Sequence, residues 1–157
     1  MARYPADSRV KVYAVPSIAN KAAPTTTELN AGLDLTAFTP KDGLNPTTNQ
    51  NSVDTSSLAD SDDTAVPGTE GGPITLTQFR DNSADTSWDH FTRDLDEFLV
   101  VREGPLASVA WASGDDVQVY DFISHNPIPA ATATNERRTF TVQLEMKSAR
   151  SLKSVVA

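Results

Sequence analysis

The chain has 157 residues, a formal net charge of −8 from 13 basic and 21 acidic side chains, 38% hydrophobic residues and no cysteine. That is the length of one ordinary domain with one core, and the apolar content is low for a globular chain, so part of it is expected as loop. The missing thiols exclude disulfides, thiolate metal sites and a cysteine nucleophile; the acidic balance argues against a dedicated nucleic-acid binder; and no apolar run has the length of a membrane span or the form of a secretory signal, so a soluble protein with no membrane partner is expected.

In chain order, Arg9 to Val15 alternates polar and apolar residues with Val10, Val12 and Ala14 on one side, the pattern of a half-buried strand that Pro16 ends. Thr25 followed three residues later by Glu28 is a capping box, so Pro24 to Gly32 reads as a short helical turn with Gly32 as its stop, and Leu33 to Phe38 as a resumed strand. From about residue 39 to 73 the composition turns to Asn, Thr, Ser, Asp, Gly and Pro, which predicts a long polar loop in which Ser52 to Leu58 can pair as a short edge strand. Ile74 to Phe79 is rich in β-formers and predicts a strand. After it, Trp88, Phe91 and Leu95 recur at spacings of three and four, which predicts a helix from Asp81 to Leu95 with those residues as its core face and Asp81 and Asp85 at its N-terminal end. Glu97 to Arg102 and Val117 to Ile123 read as strands, with Ala107 to Ala110 as a strand-like piece before Trp111, which fits either core or interface. Thr139 to Met146 alternates most cleanly: Phe140, Val142, Leu144 and Met146 on one face, Thr139, Thr141, Gln143 and Glu145 on the other.

Little of this points to chemistry. The two histidines, His90 and His125, read as surface or loop residues, and two alone provide no metal-binding spacing. No nucleophile elbow, phosphate loop or dinucleotide fingerprint is present, so no enzyme and no cofactor are expected. Asp60-Ser61-Asp62-Asp63 lacks the glycine and distal glutamate of a calcium loop and reads as a solvated acidic segment. Charge is uneven: from Asp42 to Phe79 there are six acids and no Lys or Arg, whereas from Arg137 to the end five bases accompany one acid. In a self-assembling protein such asymmetry lets one subunit complement the next.

Three stretches, Thr27 to Thr36, Leu76 to Asp81 and Phe98 to Gly104, together with the order of long loop, strand, helix, strand and final alternating strand, resemble major tail tube proteins of long-tailed, non-contractile bacteriophages. The resemblance implies an all-β fold with one flanking α-helix, an antiparallel sandwich or barrel whose sheets join between subunits into a ring. It implies a single tail tube domain over residues 1–157, with no room for the C-terminal immunoglobulin-like domain of some relatives. Six copies would close into a ring and rings would stack into a tube that conducts genomic DNA without binding it. The expected partners are further copies of the chain, a tape measure protein in the lumen, a tail terminator and a distal tail protein, in the virion tail and, during assembly, in the host cytoplasm. Thr139, Thr141, Gln143, Glu145, Thr75 and Thr77 are then candidates to line the lumen, although periodicity alone fits an ordinary solvated outer face equally well. Asp54, Asp60, Asp62, Asp63 and Glu70 are candidates for an arm that orders between subunits. The other reading open to the sequence is a monomeric β-sandwich module that recognises a carbohydrate or receptor, with Trp111 and Tyr120 near its binding face.

Overall fold

The computed structural model describes Pro5 and residues 7–157, in the order β1 (Val10–Val15), α1 (Thr26–Asn30), β2 (Leu33–Asp34), a 3-10 turn (Thr36–Phe38), β3 (Leu44–Pro46), β4 (Asn49–Asp54), β5 (Ala65–Gly71), β6 (Ile74–Phe79), α2 (Thr86–His90), β7 (Asp96–Glu103), β8 (Asp116–Ser124), β9 (Ile128–Pro129), β10 (Thr139–Met146) and β11 (Ser151–Val155). Nine strands form one antiparallel sheet whose path runs β2-β1-β7-β8-β10-β6-β3, with β11 added to β8 and β9 to β10; β4 and β5 make a separate hairpin.

The sheet bends because β10 pairs with β8 only from Leu144 to Met146, while its other edge follows β6 from Thr139 to Leu144. Strands β6 and β10 therefore fold across β1, β7 and β8, and the two layers close on a core of Val12, Ala14, Leu99, Val101, Tyr120 and Phe122 against Ile74, Leu76, Phe140, Val142 and Leu144. The path does not close into a barrel: β2 and β3 stand at its two ends. Burying a side chain such as Phe140 completely contributes about 1.5–3 kcal/mol, so each such residue at this layer contact favours its closure.

Strand β1 differs from the expected half-buried strand, because both of its faces are covered. Val12 and Ala14 enter the first core, while Val15 joins Ile18, Leu29, Val100, Trp111, Val117, Val119 and Val156 in a second core on the opposite face of β7 and β8. Trp111 is thus a core residue, and the segment before it is turn and loop where a strand-like piece was expected. The reason is Arg102, which is fully buried and donates to the carbonyls of Leu106, Val109 and Ala110 and to Asp115 Oδ2 at 2.7–3.1 Å, curling residues 106–115 around its guanidinium.

The capping box at Thr25 forms as the sequence predicts, but the helix ends at Ala31, and Gly32 has a different role. A Cβ there would lie 2.7 Å from the Ala14 carbonyl oxygen and 2.8 Å from Val15 Cγ2, so glycine lets the chain pass against β1. The strand expected from Leu33 to Phe38 is only the two residues of β2, after which Thr36 turns the chain by bonding Val12 and Asp34.

The helix expected from Asp81 to Leu95 is confined to Thr86–His90. Asp85 Oδ1 accepts from the Asp81 N–H and Asp81 Oδ1 from the Ser83 N–H, both at 3.1 Å, and such local bonds compete with helix. At the other end Phe91 is extended, and Asp94, in the left-handed region at φ 64°, donates its N–H to the Ser124 carbonyl at the end of β8. Phe91 is still 1% exposed, and Trp88 and Leu95 pack against the first core, Trp88 edge-on to Phe140 at 5.1 Å, but the residues do so from a helix, its end and a turn. The polar loop expected at about 39–73 contains three strands, and its outer part is the β4–β5 hairpin, paired from Asn49 to Asp54 where Ser52 to Leu58 was the expected strand. Strand β11, unforeseen, pairs with β8 through a bulge between Ser151 and Ser154.

Candidate assembly surfaces

The outer face of β6 and β10 is polar from Thr75 to Thr77 and along Thr139, Thr141, Gln143 and Glu145. Antiparallel register sets Thr141 opposite Thr77 and Gln143 opposite Thr75, so all six predicted face residues share one side of the sheet, and the buried Ile74, Leu76, Val142 and Leu144 occupy the other. The Thr77 and Thr141 hydroxyls lie 3.4 Å apart; Gln143 Nε2 donates to Glu145 Oε1 at 2.7 Å, and His125 Nε2 is 3.2 Å from the same oxygen. Asn45 of β3, which sequence reading passed over, pairs with Thr75 and extends this face. The face carries hydroxyls, amides and one carboxylate, with Phe79 opposite Thr139 at one end and the exposed Ile128 of β9 opposite Thr141 as its apolar members.

The second surface is the arm formed by β4 and β5. Every residue of β4 is exposed, and Val53 and Val66 face each other across the ladder while 53% and 48% exposed. Leu58 at the tip is fully exposed. The acids Asp54, Asp60, Asp62, Asp63 and Glu70 all lie on this arm in solvent. Asp54 and Asp60 are engaged locally, accepting from the Ser56 N–H at 2.8 Å and the Ser57 N–H at 2.7 Å; the Ser56 side chain and backbone hold the Asp54 carboxyl below the usual carboxylate range. In contrast with its blade, the arm's root is fixed. Gly72 has φ 133°, and a Cβ there would meet the Thr47 carbonyl at 2.4 Å, while Arg150 bonds Thr48 Oγ1 at 2.8 Å and the Gly72 carbonyl at 3.3 Å.

A two-stranded hairpin with no buried face is marginal by itself. The arm stands beside a largely polar sheet face that is backed by an apolar core. The sequence matches the model of the phage tail tube protein family over residues 1–157. The chain belongs to that family. A tail tube protein is a structural part of the phage tail and not an enzyme. No curated protein matches the sequence. Among solved structures the fold is similar to a chain of the anti-feeding prophage baseplate, with TM-score 0.61, 11% identity and 98% of each chain covered. It is similar also to the sheath/tube terminator of an extracellular contractile injection system, PVC, in its extended state, with TM-score 0.61, 9% identity and 96% of this chain and 99% of that one covered. The tube-terminating cap of the anti-feeding prophage gives TM-score 0.58 at 10% identity, covering 97% of this chain and 94% of that one. Identities this low speak for the fold alone.

Several other polar groups of this tail tube family member are built into its framework. His90 Nε2 lies 2.8 Å from Glu97 Oε2, with the ring edge-on to Phe91, which ties α2 to the start of β7. Among the described residues no three His, Asp or Glu side chains converge as a metal site, and Asp60, Asp62 and Asp63 are strung along the arm's tip. No helix of the described residues is long and apolar enough to cross a membrane. Two organising residues escaped the sequence reading, Arg102 and Gln78. Gln78 is fully buried, accepts from the Ser87 hydroxyl at 3.0 Å and donates to Thr39 Oγ1 at 2.6 Å, joining α2 and the segment before β3 to β6. Neither has a sequence signal, since a charged or amide side chain at an alternating position reads as outward-facing.

Proposed function

We propose that six copies of this chain close into a ring and that rings stack into the tail tube, the conduit through which genomic DNA enters the host. The arm carries this reading: it is a two-stranded ladder of its own with exposed valines, buries nothing against its own subunit, and so is built to be covered by another copy. The unclosed sheet supports it too, because β2 and β3 end the path with edges that a ring can pair, removing the hazard of open strands. The polar face of Thr139, Thr141, Gln143, Glu145, Thr75 and Thr77 then lines the lumen. Hydroxyls and a carboxylate there leave DNA phosphates unbound, where a basic lining would hold them through counterion release. At the ends of the tube the chain would meet a terminator and a distal tail protein, and inside it a tape measure protein; the baseplate, terminator and cap positions of the structurally similar chains favour such contacts.

Negative-stain imaging of the purified protein tests the assembly, with rings or long tubes of uniform width expected. A strict monomer at every concentration would overturn it and leave the binding-module reading. A tube map with Glu145 on the outside would overturn the lumen assignment alone.

A further inference from the structure

Strand β6 has the arm at one end and a different feature at the other. Past Phe79 the chain turns through Arg80 to Asn82, and these residues, with Phe38 and the Arg137–Arg138 pair that leads into β10, border an open cleft of about 630 Å³. Its two acids are already engaged: Asp85 pairs with Arg80, whose guanidinium lies 3.9 Å from the Trp88 ring centre, and Asp81 accepts from Ser83. Arg137 rests over the Phe79 ring at 5.2 Å and, after the Ser83 backbone and side chain, helps to hold the exposed Asp81 carboxyl below the usual carboxylate range, but neither Arg137 nor Arg138 has a side-chain hydrogen bond or a close ion pair among the described residues. Most other described Lys and Arg side chains are committed within the chain, among them Arg9, Lys11, Lys21, Lys147 and Arg150. Two successive, exposed arginines without a close ion-pair partner among the described residues, in a protein of net charge −8, are therefore a specific feature of this cleft.

Resting on the tube reading above, we infer that the acidic tip of the arm, Asp60, Asp62 and Asp63, seats against Arg137 and Arg138 in the cleft of a second copy of this chain in the adjacent ring. Charge complementarity names the occupant, because the arm from Asn49 to Gly71 carries five acids and no Lys or Arg. Topology names the direction. The arm's root precedes Ile74 and the cleft follows Phe79, so the two lie at opposite ends of a strand roughly 17 Å long. Surfaces at opposite ends of one subunit make a head-to-tail contact, which repeats without closing. In a barrel the strands run obliquely to the axis, so their ends face the rings above and below. A hairpin of six to seven residues per strand extends roughly 20 Å, enough to reach across that junction.

The test is the double charge reversal R137E/R138E, with wild type, a D60K/D62K/D63K arm variant and the chain combining both sets. Either set alone should leave rings intact but raise the concentration needed for tubes at least about tenfold, since six weak contacts per ring act together. The combined chain should recover tubes. Wild-type stacking should weaken as salt rises, because exposed pairs are screened. Unchanged tubes from R137E/R138E would overturn the inference while leaving the tube reading intact, whereas a wild type that never forms rings or tubes would sink that reading itself. Loss of rings along with tubes in folded protein would overturn the inter-ring assignment. Binding of duplex DNA by wild type, abolished in R137E/R138E, would overturn it in favour of a phosphate site. Should charge reversal disturb the fold, R137Q/R138Q and D60N/D62N/D63N read the same contact, and normal tubes from both would overturn it.

Discussion

Gln78 shows how a single residue can reverse a pattern read correctly elsewhere. Ile74 to Thr77 alternates apolar and polar, but the next pair inverts: Gln78 is buried and Phe79 lies on the polar face under Arg137. Burial is tolerated because both ends of the amide are bonded, and an orphaned partner would be costly. Gln78→Leu keeps the volume but strands the Ser87 hydroxyl, which is itself fully buried, so a loss of about 1–3 kcal/mol is expected in urea unfolding. Adding Ser87→Ala should return part of it, a coupling that a double-mutant cycle measures. Arg102 is the more severe case. Arg102→Met leaves three loop carbonyls without a donor and Asp115 without its cation, and a loss of about 3–5 kcal/mol is expected. Proteolysis between Leu106 and Asp115 should accelerate in step with that loss, because the loop has no strand ladder of its own.

Among elements, α1 was readable because its signal is local. Thr25 and Glu28 cap each other, with the Glu28 carboxylate accepting from the Thr25 N–H at 2.8 Å and the Ala19 N–H at 2.9 Å. Those bonds hold its carboxyl below the usual carboxylate range. A folded-state pKa below the unfolded one contributes stability that is present above about 4.5 and is lost as pH falls through the lowered value. Acid titration of wild type against Glu28→Gln should therefore show the two stabilities converging as pH drops, with the wild type ahead only above that window. Helix α2 was half readable. The spacing of Trp88, Phe91 and Leu95 correctly marks residues that meet the core, yet three apolar contacts do not require a continuous helix, and Asp81, Asp85 and the β8 terminus pull both ends away. The arm reads in sequence as loop with one short edge strand at Ser52 to Leu58, because its ladder is made of polar and small residues, which carry no β signal until they are paired.

For the whole molecule, the arm and the sheet are energetically separate. Since β4 and β5 pair only with each other, deleting residues 51–68 should leave the thermal transition nearly unmoved while abolishing tubes, as calorimetry and electron microscopy would show; normal tubes from the deletion would refute the arm's bridging role. Composition and alternation alone determined that this is an acidic, cysteine-free, mainly β chain with a clean polar face on its Thr139 to Met146 strand and nothing resembling an active site. These properties depend on residue type and on a period of two, which a sequence displays directly. Only the tertiary structure decided that β6 shares that face in register, that β1 and β7 are buried on both sides, and that the residues 39–73 hold an arm and its root. It alone put the arm and the Arg137–Arg138 cleft at opposite ends of β6. Each of these rests on pairings between residues far apart in the chain, and a strand's own sequence does not specify which edge it will join.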